Sequence, residues 1–208
     1  MKIHKLVLGA VGAMVLLGSL IASSASARVF SADSQSITAS FSEVIFREPA
    51  FGATANCRVT LEGSLHSATV DKTPGTLIGS ITRGIVGQCV GTTGGTILQE
   101  TLPWNVRYSG FEGPLPEIRS LIIHVIGAAF RARLSNGITC LARTELNEPG
   151  RGRFHFDAAP SNHVRAGIEG AIRTGSECGG FRGTLSTEVT SRYVKRSGTT
   201  TAISVTLI

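Results

Sequence analysis

Residues 102–140 read LPWNVRYSGFEGPLPEIRSLIIHVIGAAFRARLSNGITC, and this stretch decides the fold. It contains Trp104, the only tryptophan of the chain, and Tyr108, one of its two tyrosines. Trp104, Val106 and Tyr108 occupy alternate positions, which is the period of a strand with one buried face. The Gly and Pro residues of 110–116 then turn the chain. We therefore expect the two rings to belong to a core strand.

The longest apolar run after the N-terminal segment is 121–126, with the sequence LIIHVI. Its spacing fits a helical face as well as a strand, because short apolar runs do not distinguish the two periods. β-Branched residues dominate the run, alternation continues to Leu134, and Asn136-Gly137 then supplies a hairpin turn. We expect a strand covered on both faces, with a helix as the alternative.

Shorter segments in the rest of the chain show the same period of two. Apolar and polar residues alternate over 57–65 and again over 164–172. Turn residues separate these segments, and 90–96 is so rich in Gly and Thr that we expect a loop there. Many short strands with Gly and Pro turns predict an all-β protein, either an antiparallel β-sandwich or a barrel-like sheet.

The first 27 residues have the pattern of a cleaved signal peptide. Lys2 and Lys5 precede an apolar run, and Ala25-Ser26-Ala27 is a small-residue cleavage site. A retained anchor helix is the alternative, but the run is short for a membrane span. We expect cleavage after residue 27, which leaves one β domain over 28–208 with no transmembrane segment. The mature chain would be secreted or associated with the cell envelope.

Four cysteines, an even number in an exported chain, predict two disulfides. Of the three possible pairings we favour Cys57 with Cys89 and Cys140 with Cys178. In each half of the chain one cysteine begins a strand and a second closes the segment at a similar separation. Metal binding is the competing interpretation, but no two cysteines have the short spacing of a zinc site. We therefore expect neither a metal nor another cofactor.

The net charge of +6 is a mild excess, and two of the positive charges lie in the predicted leader. The others are nearly all arginines scattered along the chain, whereas a nucleic-acid-binding protein needs a dense basic patch. The composition argues against nucleic acid. It leaves anionic or carbohydrate polymers of the cell envelope as candidate partners.

Four motifs together resemble a group of secreted bacterial β proteins of unknown function. They are LPWxxxYxGFxGxLPxI from Leu102, CxVTLxGS from Cys57, GSIT from Gly79 and the terminal VTLI. The likeness covers most of the mature chain and implies export, an all-β fold and paired cysteines, but no activity. Members of the group often have histidine after the tryptophan, where this chain has Asn105.

Trp104, Tyr108 and Phe111 are the candidate binding residues. If their rings were exposed and coplanar, they would form a stacking platform for sugars, and the chain would be a carbohydrate-binding module. Aromatic residues at alternate positions beside a turn are also typical of a core, and Val106 shares their face.

A secreted hydrolase is the second alternative. Glu112 and Glu117 flank the proline turn and would supply the two carboxylates of a glycosidase. The best polar cluster comprises Arg153, His155, Asp157 and His163, although period-two spacing is equally that of a solvent-facing strand. His124, inside the apolar run, is expected to be a hydrogen-bonded core histidine rather than a ligand. Because no G-x-S-x-G elbow or other constellation is recognisable, we assign no catalytic residue and expect a non-enzymatic structural or binding protein.

Overall fold

The computed structural model describes residues 29–48, 52–114, 118–134, 136–158, 161, 163–178, 182–187 and 193–207. The predicted leader and Glu117 therefore lie outside the described residues. Two short 3-10 helices cover Gln99–Thr101 and Ser176–Cys178. The strands are β1 (Phe30–Ala32), β2 (Ser36–Glu48), β3 (Ala53–Leu65), β4 (Thr69–Val70), β5 (Leu77–Val90), β6 (Thr92–Ile97), β7 (Trp104–Glu112), β8 (Ser120–Ile126), β9 (Ala129–Leu134), β10 (Thr139–Arg143), β11 (Gly150–Phe156), β12 (Val164–Thr174), β13 (Arg182–Thr187), β14 (Lys195–Arg196) and β15 (Val205–Leu207).

The apolar run at 121–126 belongs to a strand, as expected. β8 pairs antiparallel with β7 on one side and with β11 on the other, so its backbone groups are used in two ladders. Leu121 and Ile123 are buried on its inner face. Ile122 and His124 on the outer face are only half-buried, so the strand is covered fully on one side and partly on the other.

Eight antiparallel strands close into a barrel. Their order is β11-β8-β7-β5-β3-β2-β13-β12, and pairing of β12 back onto β11 completes the circle. Closure removes the two free edges that an open sheet of this length would expose. Of the two expected architectures, the sandwich and the barrel, the structure therefore has the barrel at its centre.

At one end of the barrel two layers of strands face each other. β10 pairs with the end of β12, and β9 and β6 continue the sheet from there. This second layer packs over β2 and β3, where Phe46 and Ala55 meet Ala132 and Leu134 in one apolar core. β6 lies on the Cys57–Cys89 disulfide so closely that a methyl group added to Gly95 would touch both sulfurs at 3.4 Å. The prediction of a loop at 90–96 is therefore wrong, because most of these residues belong to strand β6.

A small sheet in the order β15-β1-β4 covers the other end of the barrel. Phe30 of β1 and Val70 of β4 pack with Tyr108 and Leu121 of the barrel wall. The N-terminal and C-terminal parts of the described chain meet here, since Phe30 pairs with Leu207 in the register of this sheet. Both ends of the barrel are therefore covered by strands.

Gly63 and Gly79 allow β3 and β5 to approach closely. A Cβ on Gly79 would lie 2.5 Å from the carbonyl oxygen of Ser64, and a Cβ on Gly63 would overlap the carbonyl oxygen of Ser80. Gly63 also lies at a bulge, because the register of β3 and β5 shifts between Glu62 and Gly63.

Among the residues that the structure describes, no helix has the length and apolar character that a membrane span requires.

Candidate functional site: an apolar cavity inside the barrel

The aromatic residues of the central motif divide between the core and the surface. Trp104 and Tyr108 are buried, with 5% and 2% of their surface exposed, whereas Phe111 is 37% exposed. The indole Nε1 of Trp104 donates a hydrogen bond to Thr101 Oγ1 at 2.9 Å, so its polar atom is satisfied within the core. Burial raises the pKa of the Tyr108 phenol. The three rings do not form the exposed, coplanar surface that sugar stacking requires.

A cavity of about 160 Å³ lies in the barrel interior, beside the buried face of Trp104. Its wall comes from the inner faces of both halves of the barrel and, at one end, from β6 and β9. Val106 and Ile123 contribute from one side of the barrel and Ile37 and Phe41 from the other. The lining is almost wholly apolar, and an apolar space of this size is uncommon in proteins, whose interiors are close-packed.

Small residues at inward positions leave this space open. Ala39 of β2 and Ala166 of β12 line the cavity, at positions where a bulky aliphatic side chain would fill a small barrel. Gly152 of β11 also lines it, but a Cβ there would lie 2.8 Å from Ile123 Cγ1, so the isoleucine already occupies the space beside this glycine. The sequence interpretation missed them, because alanine and glycine in an alternating strand look like ordinary small core residues. The sequence did contain a signal for an open interior, namely small residues at the inward positions of more than one strand.

A second cavity, of about 30 Å³, lies toward the small sheet. Phe30, Val70 and Val205 from that sheet contribute to its wall. It shares Ile37, Leu65 and Phe154 with the larger cavity, so the two spaces follow one another inside the barrel with these side chains between them.

On the outer face of the barrel, Arg153 of β11 forms ion pairs with two carboxylates, one from β7 and one from β12. Its guanidinium contacts Glu112 of β7 at 2.5 Å and Glu169 of β12 at 2.7 Å. Arg151 approaches the same two carboxylates, at 3.8 and 3.4 Å. Ser120, which is almost fully buried, donates a hydrogen bond to Glu112 at 3.1 Å. Glu112 is therefore an ion-pair partner that links β7 to β11, and both of its carboxylate oxygens contact arginines of β11.

The residues of the polar cluster expected around His155 are close in the fold, since the Asp157 N–H donates to the carbonyl oxygen of His163 at 2.9 Å, but side chains of the cluster have other partners. Asp157 forms an ion pair with Arg165 at 3.2 Å, and the ring of His163 packs edge-on against Tyr193 at 5.2 Å. Burial lowers the pKa of His155, and the nearby Arg153 lowers it further. Within the described part of the chain, no three His, Cys, Asp or Glu side chains gather as metal ligands would.

His124 lies on the outer face of β8 rather than in the core. Its Nε2 lies 3.2 Å from Ser109 Oγ, in a side-chain hydrogen bond and not in the expected bond to backbone. Burial lowers the pKa of His124, and the charge of Arg151 lowers it further. A serine nucleophile needs a histidine that accepts its proton, and a neighbouring cation opposes the imidazolium that would form. This contact is therefore poorly suited to nucleophilic catalysis.

The four cysteines form two disulfides, Cys57–Cys89 and Cys140–Cys178, which is the sequential pairing expected from the sequence. The first joins neighbouring positions of β3 and β5, since Cys57 and Cys89 are partners in their register. The second ties β10 to the short helix at Ser176–Cys178 and is fully buried. Both therefore brace the end of the barrel where the two layers meet.

Comparison with known proteins identifies no relative of this chain. No family model, no curated protein and no solved structure matches this chain.

Proposed function

We propose that this chain is an exported, non-enzymatic binding protein of the cell envelope or extracellular space, and that its barrel interior holds a small apolar ligand. The cavity of about 160 Å³ beside Trp104 is the observation that carries the proposal. Eight-stranded barrels have room either to be filled by side chains or to hold one small ligand. A dry cavity of about 150 Å³ is large enough to bind benzene.

Export is supported by two independent features. The leader pattern at 1–27 is that of a signal peptide, and two disulfides are typical of proteins from oxidising compartments. The resemblance to secreted bacterial β proteins points to the same compartment. A carbohydrate ligand at Trp104, Tyr108 and Phe111 is less well supported, because only Phe111 offers an exposed ring.

Titration of the protein with benzene, followed by Trp104 emission, tests the proposal. Trp104 lines the cavity and is the only tryptophan, so its emission reports occupancy directly. The test variant is Ala166→Leu, which places a larger side chain inside the cavity. The matched control is Ala171→Leu, at an exposed position of the same strand.

We expect a saturable change of emission in the unmodified protein and in Ala171→Leu. Binding to Ala166→Leu should weaken by about tenfold or more, because the added side chain occupies the space that benzene needs. The absence of a saturable change in the unmodified protein would overturn the proposal. Equal binding by Ala166→Leu would place benzene elsewhere and would also overturn it.

A further inference from the structure

The larger and the smaller cavity are neighbours inside the barrel. Ile37 of β2, Leu65 of β3 and Phe154 of β11 line both spaces, and no other described residue does, so these three side chains form the junction between them. On the far side of this junction the smaller cavity lies under the small sheet, with Phe30 and Val205 in its wall. The two empty spaces therefore follow one another, with the three junction side chains between them.

Phe154 is the largest of the three junction residues. It pairs in register with Leu121 of β8 and with Ala166 of β12. Its ring packs against the apolar cluster that includes Phe30 and Leu121, and also against the cluster that includes Val164 and Ile203. Because Ala166 is its partner on β12, the phenyl ring has a small neighbour on that side.

We propose that the natural ligand is a single unbranched hydrocarbon chain that fills the larger cavity and extends past Phe154 into the smaller one. This inference rests on the proposed function. A compact ring would use only the larger cavity, whereas a flexible chain that displaces the Phe154 ring would fill both apolar spaces. All residues that line the smaller cavity are apolar, so the end of the chain that enters it carries no polar group.

Straight-chain primary alcohols from butanol to dodecanol test this inference, with Trp104 emission as the readout. Each buried methylene should strengthen binding by about fourfold until the accessible space is full, after which affinity should level off. In Phe154→Ala the junction is wider, so affinity should continue to rise for longer alcohols before it levels off. Phe154→Leu, a smaller change, should shift the same limit in the same direction and replaces Phe154→Ala if that variant does not fold.

Phe156→Ala is a second test variant. Phe156 lines only the smaller cavity, so its truncation enlarges the space that the end of the chain enters, and the limit should again shift to longer alcohols. The matched control is Phe111→Ala, at an exposed phenylalanine of β7 that lines neither cavity, and its limit should equal that of the unmodified protein. Identical limits in the unmodified protein, the Phe154 variants and Phe156→Ala would overturn the inference and leave the proposed function intact. If neither benzene nor any alcohol binds, both fail together.

Discussion

On the outer face of the barrel, the surroundings of His155 and His124 lower the pKa values of both side chains. Both imidazoles lie on half-buried positions of β11 and β8, and burial is the main reason why their pKa values are lowered. For His155 the charges of Arg153 and Arg165 act in the same direction, and those of Glu112 and Glu169 oppose them. For His124 the cation is Arg151. The neutral form of each ring is therefore favoured by the folded state.

We expect the free energy of unfolding to fall as the pH drops below the ordinary histidine pKa of 6.5. The pKa of each ring is lower in the folded chain than in the unfolded chain, so the unfolded chain takes up protons first and gains stability from them. Above that pH both states are neutral and the effect disappears. Urea denaturation between pH 5 and pH 7, a range chosen to span roughly this titration, measures the slope.

A double variant, His124→Asn with His155→Asn, should have a free energy of unfolding that depends less on pH than that of the unmodified protein. His66→Gln, which removes an exposed histidine, serves as the comparison. A slope that changes as much in His66→Gln as in the double variant would show that burial on the outer face is not its cause.

At the level of elements, strict alternation was enough to predict most strands. β7 has the buried and exposed residues that the period of two indicates, and β8 was distinguished from a helix by its β-branched residues and its continuing alternation. β12 is a strand as expected but departs from that period, because Gly167 is buried and Gly170 is exposed. β6 was missed because its sequence, TTGGTI, has no alternation and two glycines. It is a strand for a tertiary reason, since it pairs with β9 and packs on the disulfide between β3 and β5.

We expect the two disulfides to differ in their resistance to reduction. Cys140 and Cys178 are fully buried, whereas Cys57 and Cys89 are half-buried, so a reductant reaches the Cys57–Cys89 bond first in the folded protein. Brief reduction under native conditions, alkylation and peptide mapping will identify the opened pair. Labelling of Cys140 and Cys178 before the other pair would contradict this expectation.

In contrast to their accessibility, the two disulfides should stabilise the fold by similar amounts. They close loops of similar length, with sequence separations of 32 and 38 residues. Chain entropy then gives about 4 kcal/mol for either bond. Paired Cys→Ala substitutions, compared by urea denaturation, provide the matched measurement.

At the scale of the whole molecule, neither barrel closure nor the cavity was accessible from the sequence. Closure depends on the pairing of β12 with both β11 and β13, and alternation says only that each strand has two faces. The cavity depends on how many inward side chains are small once eight strands are arranged in a circle. The candidate residues identified from the sequence were aromatic and charged, whereas the cavity is open because Ala39 and Ala166 are small.

An empty interior is costly for a protein of this size. At about 24 cal/mol per Å³, a cavity of about 160 Å³ lowers the free energy of unfolding by about 4 kcal/mol. Total stabilities of single domains are only about 5–15 kcal/mol, so this loss is a large fraction of the whole. A sequence that retains such a space in its core gains stability whenever an apolar molecule fills it.

Ligand binding should therefore raise the melting temperature, and the increase should grow with the logarithm of the ligand concentration above Kd. At a benzene concentration about a hundredfold above its Kd, linkage adds about 2.7 kcal/mol to the free energy of unfolding. For a chain of 208 residues this corresponds to an increase in Tm of roughly 5–11 °C. Calorimetry over a range of benzene concentrations measures the increase, and Ala166→Leu, whose cavity is partly filled, should begin with a higher Tm or respond less. An unchanged Tm in the unmodified protein at saturating benzene would mean that the cavity does not admit apolar molecules from solution, and the void would then be only a packing defect of the barrel.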